Sequence, residues 1–321
     1  MEFQMKEFLI EKNDADQRLD KYVRKVAGNL SPSLLYKYLR VKAIKVNGKR
    51  AEGATRLQPG DRVQMYISDE FFTEKNADFR AIGYAPRLTV IYEDDNLLLV
   101  DKKPGVPVHA DDHGARDTLI NQVLLYLYEK GDYDPEKERS FTPALCNRLD
   151  QNTGGIVIVA KNAAAGRLLY EAVKERKIEK RYRALVLGTP NPAEDTLVGY
   201  LKKDAERNQV RVIDAPRAGY KKIITRYRVL RQKNGLSLLE IELITGRTHQ
   251  IRAHLAHIGH PVAGDLKYGT AAENRGLPFR HQALYAYSLR FDLPEEHPLS
   301  YLNGREFRVP EIYFEKEYFS P

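Results

Sequence analysis

Residues 144–162 read ALCNRLDQNTGGIVIVAKN. The stretch 156–160 is apolar without a break, and its β-branched content and length predict a buried strand. Asn162 then caps a helix over AAAGRLLYEAVKER. Ahead of the strand, Gly154 and Gly155 permit close backbone approach at a turn. One carboxylate, Asp150, stands at that turn. A charged group hard against a buried strand is costly unless something holds it or uses it.

Outward from this stretch, strands and helices mix. LTVIYEDDNLLLVDKKPG (88–105) predicts two strands about residues 94–96. DTLINQVLLYLYEK (117–130) sets Leu119, Val123, Leu124 and Leu127 on one helical face. KRYRALVLG (180–188), KKIITRYRVL (221–230) and LSLLEIELIT (236–245) read as strands. The last alternates Leu239, Ile241 and Leu243 against Leu238, Glu240 and Glu242. HQIRAHLAHIG (249–259) is a short helix ended by Gly259, and ALYAYSLRFD (283–292) a further strand. Strands outnumber helices without strict alternation. That predicts an α+β domain, from about Arg87 to residue 321, on a mixed, largely antiparallel sheet with flanking helices.

The chain has 321 residues, 42% apolar and 30% charged, as expected of a soluble protein with more than one domain. No apolar run approaches the roughly 20 residues that span a bilayer, so no membrane association is expected. The first residues lack the layout of a secretory signal. The single cysteine, Cys146, excludes an intrachain disulfide and fits a cytoplasmic protein. The net charge of +8 has one location. Residues 16–50 hold ten basic and two acidic side chains, so the rest of the chain balances. A block this basic suits a polyanion partner, although a solvated lysine-rich face has the same composition.

That block has an organisation. Residues 16–27 place Leu19, Tyr22, Val23 and Val26 at helical spacing. Ser31 and Pro32 open a second helix. Asn47-Gly48 marks a hairpin, and LQPGDRVQMYI supplies a turn and a strand. The pattern over residues 17–67 resembles the small α/β RNA-binding module named after ribosomal protein S-four. The resemblance implies an RNA-binding domain at 1–67, followed by a linker at 68–86. It makes Lys37, Arg40, Lys42 and Lys49 phosphate contacts, which position RNA rather than read its sequence.

Three islands of the larger domain are YEDDNLLLVDKKPGVPVH (92–109), NRLDQNTGG (147–155) and TGRTHQIRAHLAHIGHPVAGDLKYG (245–269). With KRYRALVLG between the last two, this order is similar to the RluA-type pseudouridine synthases over roughly 87–310. The family pattern is His-Arg-Leu-Asp-x-x-Thr-Ser-Gly. Here Asn147 stands for the histidine and Gly154 for the serine. The resemblance implies a cofactor-free RNA uridine isomerase that acts as a monomer on ribosomal RNA, with transfer RNA as another substrate class. It also implies site roles: Asp150 at the reaction centre, Arg252 as its partner, Tyr182 packed on the base, and Arg148, Ile251 and Thr153 around the flipped nucleotide.

Physical chemistry supports parts of that assignment separately. Breaking a glycosidic bond suits a carboxylate as nucleophile or as stabiliser of a cationic sugar. An arginine at ion-pair distance favours the ionised form of a carboxylate. An aromatic face suits a detached uracil. Plainer roles stay open: Asp150 in a structural ion pair or a cap, Tyr182 and Ile251 as core, Arg148 as a surface cation. His249, His254, His257 and His260 suggest metal, but no HExxH or second cysteine accompanies them, so no metal site is expected. Cys146 reads as an inert buried side chain, and Asp111, Asp112 and His113 as a solvated loop. A non-catalytic RNA-binding or ribosome-assembly protein on the same scaffold is the alternative from another class. An N-glycosidic hydrolase is a third.

Overall fold

The computed structural model describes residues 5–72, 79–80, 83, 85–110, 116–138, 140–204 and 206–319. At the N-terminus come β1 (Lys6–Leu9), α1 (Leu19–Val26), α2 (Pro32–Arg40), β2 (Ile44–Val46), β3 (Lys49–Arg50) and β4 (Arg62–Met65). The Ser31 hydroxyl accepts the Leu34 N–H at the start of α2, where Pro32 needs no donor. Asn47 (φ 51°) and Gly48 (φ 74°) both take left-handed backbone, which the two-residue turn between β2 and β3 requires. The strands pair in the order β1-β4-β2-β3 over a core that includes Leu19, Tyr22, Val23, Leu35, Ile44 and Met65. β1 was not foreseen. It has only four residues and leaves Leu9 half exposed, so it shows no period-2 apolar signal.

The larger body contains β5 (Val90–Glu93), β6 (Leu97–Lys102), α3 (Leu119–Lys130), β7 (Ala144–Leu145), β8 (Gly154–Ala160), α4 (Ala163–Lys174) and β9 (Ile178–Leu187). It continues through β10 (Glu194–Asp204), β11 (Gln209–Ile213), β12 (Lys221–Lys233), β13 (Leu236–Leu243), α5 (Gln250–His257), β14 (Leu284–Phe291), β15 (Glu306–Arg308) and α6 (Tyr313–Phe319). One sheet runs β11-β10-β12-β13-β9-β14-β8-β6-β5, with β15 on β14 and β7 on β8. Every pairing in it is antiparallel except β14 with β8. This is the expected α+β class. β10, β11, β15 and α6 were passed over: most β10 and β15 side chains are polar or exposed, and β11 and α6 are short, with five and seven residues.

β8 explains its own unbroken apolar sequence, since all seven residues are buried. Ile156 and Ile158 pack with Ala165 and Leu169 of α4. Val157 and Val159 face Leu119, Val123 and Leu127 of α3. Toward the other end of the sheet, α5 covers the face carrying Tyr182, Tyr227 and Ile241. Phe79, inside the stretch read as a linker, is buried against α3, whereas much of that stretch and Asp111–His113 fall outside the described residues. Asp14, fully buried, accepts hydrogen bonds from the Ser140 N–H and hydroxyl, which tie the N-terminal module to the larger body. Among the described residues no helix is long and apolar enough to cross a membrane.

Candidate active site

Asp150 lies on the turn from β7 into β8, where the Thr153 N–H donates to the Asp150 carbonyl (3.0 Å). Backbone demands shape this turn. A Cβ on Gly155 (φ 124°) would fall 2.3 Å from the Ala286 carbonyl oxygen of β14. A Cβ on Gly154 would fall 2.2 Å from the buried Tyr285 ring, so the aromatic fills the space that a serine would need. The Tyr285 hydroxyl donates to Asp101 (2.7 Å), whose other oxygen pairs with Lys103 (2.6 Å). Asn147 works as a backbone mimic beside β8: it donates to the Ile156 carbonyl (3.2 Å) and accepts the Ile158 N–H (2.8 Å). Both departures from the family pattern thus have partners in this chain.

Arg252 projects from α5 and carries two carboxylates. Its Nη1 donates to Asp150 Oδ2 at 2.7 Å. Its Nε and Nη2 form a fork on Asp265, at 2.6 and 2.8 Å. Two acids on one buried guanidinium thus take three of its five planar N–H donors. Burial pulls the Arg252 pKa down, but Asp265 and then Asp150 more than offset it and leave it raised. The guanidinium also lies 5.2 Å from the Tyr268 ring centroid. His249 places Nε2 3.7 Å from Asp150 and hydrogen-bonds the Tyr268 hydroxyl through Nδ1 (2.8 Å). Burial first, and then the Arg252 and Lys267 cations, hold its pKa below the ordinary value against the pull of Asp150. Arg252 is the cation in direct hydrogen-bond contact with Asp150.

Tyr182, on β9, is buried with Ile251, Ile241 and Ala286. Burial, and then the charge of Asp150, push its hydroxyl pKa up, so the ring presents a neutral phenol. Thr153 is buried and accepts from Gln282 (3.2 Å), which places it in the support of the turn. Arg148 is exposed on the same segment, near His109. The structure thus brings Asp150, Arg252, Tyr182 and Ile251 together, with Arg148 and Thr153 on the adjoining turn. Lys37, Arg40, Lys42 and Lys49 are exposed on α2 and the hairpin of the N-terminal module. The four histidines take separate partners: Asp150 and Tyr268, Thr225, Asp214, and the Leu187 carbonyl. Among the described residues no three His, Cys, Asp or Glu side chains gather as metal ligands. Burial pushes the Cys146 thiol up to about 11, which suits an inert side chain.

Sequence reasoning passed over Asp265 and Lys102. Asp265 had a signal: an arginine fork has donors that one carboxylate leaves unused. Lys102 had none, because lysine at the end of a strand is ordinarily solvated. Here it is 1% exposed and donates to the carbonyls of Lys103, Val106 and Gln151, the last beside Asp150. Burial, ahead of the opposing pull of Asp150 and then Asp101, brings its pKa from 10.5 to about 8. Between those values the unfolded chain holds a proton that the folded chain has lost, so this group's contribution to stability rises with pH across the window. The urea midpoint of wild type relative to Lys102→Met is expected to be higher at about pH 9.5 than at about pH 7.5. A gap that does not change with pH would show that Lys102 keeps its ordinary pKa.

A family model described as RNA pseudouridylate synthase matches residues 96–257, and one described as S4 domain matches residues 17–63. An uncharacterized RNA pseudouridine synthase of Mycoplasma genitalium is 34% identical, over 88% of this chain and 88% of that protein. A ribosomal large subunit pseudouridine synthase C of Rickettsia felis is 33% identical, over 78% of this chain and 81% of that one. The solved structure of human RNA pseudouridylate synthase domain containing 1 matches with a TM-score of 0.57 and 25% identity, covering 73% of this chain and 87% of that one.

Proposed function

Because the chain belongs to the RNA pseudouridylate synthase family of isomerases and carries an RNA-binding S4 domain, we propose that it converts uridine in structured ribosomal RNA to pseudouridine, with Asp150 at the reacting sugar. The observation that carries this reading is the Asp150 carboxylate held by Arg252 beside the buried Tyr182 ring. The C–N glycosidic bond breaks, and Asp150 acts on the sugar carbon as nucleophile or counter-charge. The uracil turns against Tyr182 and Ile251. Its carbon 5 bonds to the sugar and gives up a proton, while N1 gains one. No electron is gained or lost, and uridine supplies every atom of the product, so no cofactor is needed. Arg252 holds the Asp150 carboxylate in place through the step, and Asp265 holds Arg252.

A uridine in paired RNA must leave its stack to reach Asp150, and Arg148 helps hold the flipped nucleotide. Residues 1–67, with Lys37, Arg40, Lys42 and Lys49, anchor the RNA backbone, and residues 87–321 do the chemistry. The protein acts as a monomer in the cytoplasm. Ribosomal RNA is favoured over transfer RNA by the relatives titled as large-subunit enzymes.

The test uses RNA labelled with tritium at carbon 5 of uridine, from cells lacking this protein. Release from ribosomal RNA without free uracil is the expected result. Release confined to transfer RNA would overturn the substrate class. Free uracil with an abasic product would make the protein a hydrolase. Tight binding without release would make it a binding protein.

A further inference from the structure

The outer lobe of the large sheet has two faces with different chemistry. On one, Leu201, Val210, Val212 and Ile223 pack under Ala253 of α5, the helix that carries Arg252. On the other, strand alternation presents Tyr200, Lys202, Arg211 and Lys222. The three cations are exposed and Tyr200 is half-buried among them. Lys202 of β10 lies directly opposite Arg211 of β11, and Tyr200 directly opposite Lys222 of β12. Like charges directly across a ladder are destabilising.

The same face shows the ordinary solution further in. Arg226 and Arg228 of β12 stand opposite Glu242 and Glu240 of β13 and pair with them at 2.9 and 2.8 Å. Lys202, Arg211 and Lys222 have no ion pair with any described residue. The next acid on β10's outward side, Asp204, instead accepts the Arg207 N–H (3.1 Å). This lobe therefore holds an unneutralised trio of cations around an aromatic ring, on the reverse side of the strands that support Arg252.

We propose that this face is a second RNA-backbone contact, which grips the substrate strand after it has passed the β11 edge from the active site. It rests on the reading that the substrate is structured RNA. The ligand chemistry is the phosphodiester backbone, with Tyr200 offering a face to one unpaired base. Such a contact adds affinity and salt dependence and leaves the reacting atoms untouched.

The test compares wild type with the triple variant Lys202→Gln, Arg211→Gln, Lys222→Gln on a short target hairpin and on a long ribosomal RNA fragment around the same uridine. For the long fragment, the slope of log affinity against log salt is expected to fall by about 2 to 3, and affinity by about tenfold or more. Hairpin affinity and saturated turnover should not change. Without RNA the variant should melt no lower than wild type, because a repulsive pair has been removed. Equal losses on both RNAs, no loss on either, or a lower melting temperature would overturn the proposal, as would binding to anionic vesicles in place of the long RNA. A wild type that binds the long fragment through this face without turning it over would instead sink the isomerase reading and keep the surface.

Discussion

Asp150→Asn is expected to reduce tritium release by roughly 10³-fold or more while leaving RNA affinity within about twofold of wild type. The substitution keeps the shape of the side chain and removes its charge. A neutral amide cannot serve as nucleophile or balance a cationic sugar. The rest of the array survives, because Arg252 keeps both hydrogen bonds to Asp265. One charge-assisted hydrogen bond is weakened, so folding stability should drop by no more than about 1–3 kcal/mol. Filter binding and urea unfolding, run beside the release assay, separate loss of chemistry from loss of fold. Turnover within about tenfold of wild type would remove Asp150 from the reaction centre.

The second large effect concerns Gly154→Ser, which writes the usual family residue into this chain. The new Cβ would meet the Tyr285 ring at 2.2 to 2.7 Å. That ring is 2% exposed and its hydroxyl is held by Asp101, so it cannot swing aside without giving up that bond. Overpacking of this kind costs about 3 kcal/mol. The turn carrying Asp150 should shift with it, and turnover should fall along with stability. In a Tyr285→Val background the serine should cost less than about 1 kcal/mol, a coupling that a double-mutant cycle reads directly. The same cost in both backgrounds would mean that the glycine answers to something other than Tyr285.

Gly154 illustrates what sequence can and cannot carry. The substitution was visible as a departure. Its partner was not, because Tyr285 reaches β8 through the single parallel pairing of the sheet, across more than a hundred residues. The fold class was legible because β6, β8, β9 and β14 have strong apolar signals and α3 and α4 have clean caps. β10 was invisible because an edge lobe exposes most of its side chains. The closeness of Arg252 to Asp150 came from family likeness, and the pair lies 2.7 Å apart. Asp265 could be sought only through the donors that Arg252 has left over, and Lys102 followed from no pattern, since a buried charge is defined by its partners rather than its neighbours in sequence.

The long reach of these pairings also sets an order of events on the ribosome. The N-terminal module closes its sheet with residues no later than Met65. The turn around Asp150 waits for Arg252, His281, Gln282 and Tyr285. At typical translation speeds those residues emerge roughly 10–40 s after the module is complete. A growing chain therefore has the whole of its S4 module out well before the partners of Asp150 are available. Truncation at the end of the module, before β5, is expected to leave a polypeptide that still binds RNA in a filter assay and releases no tritium.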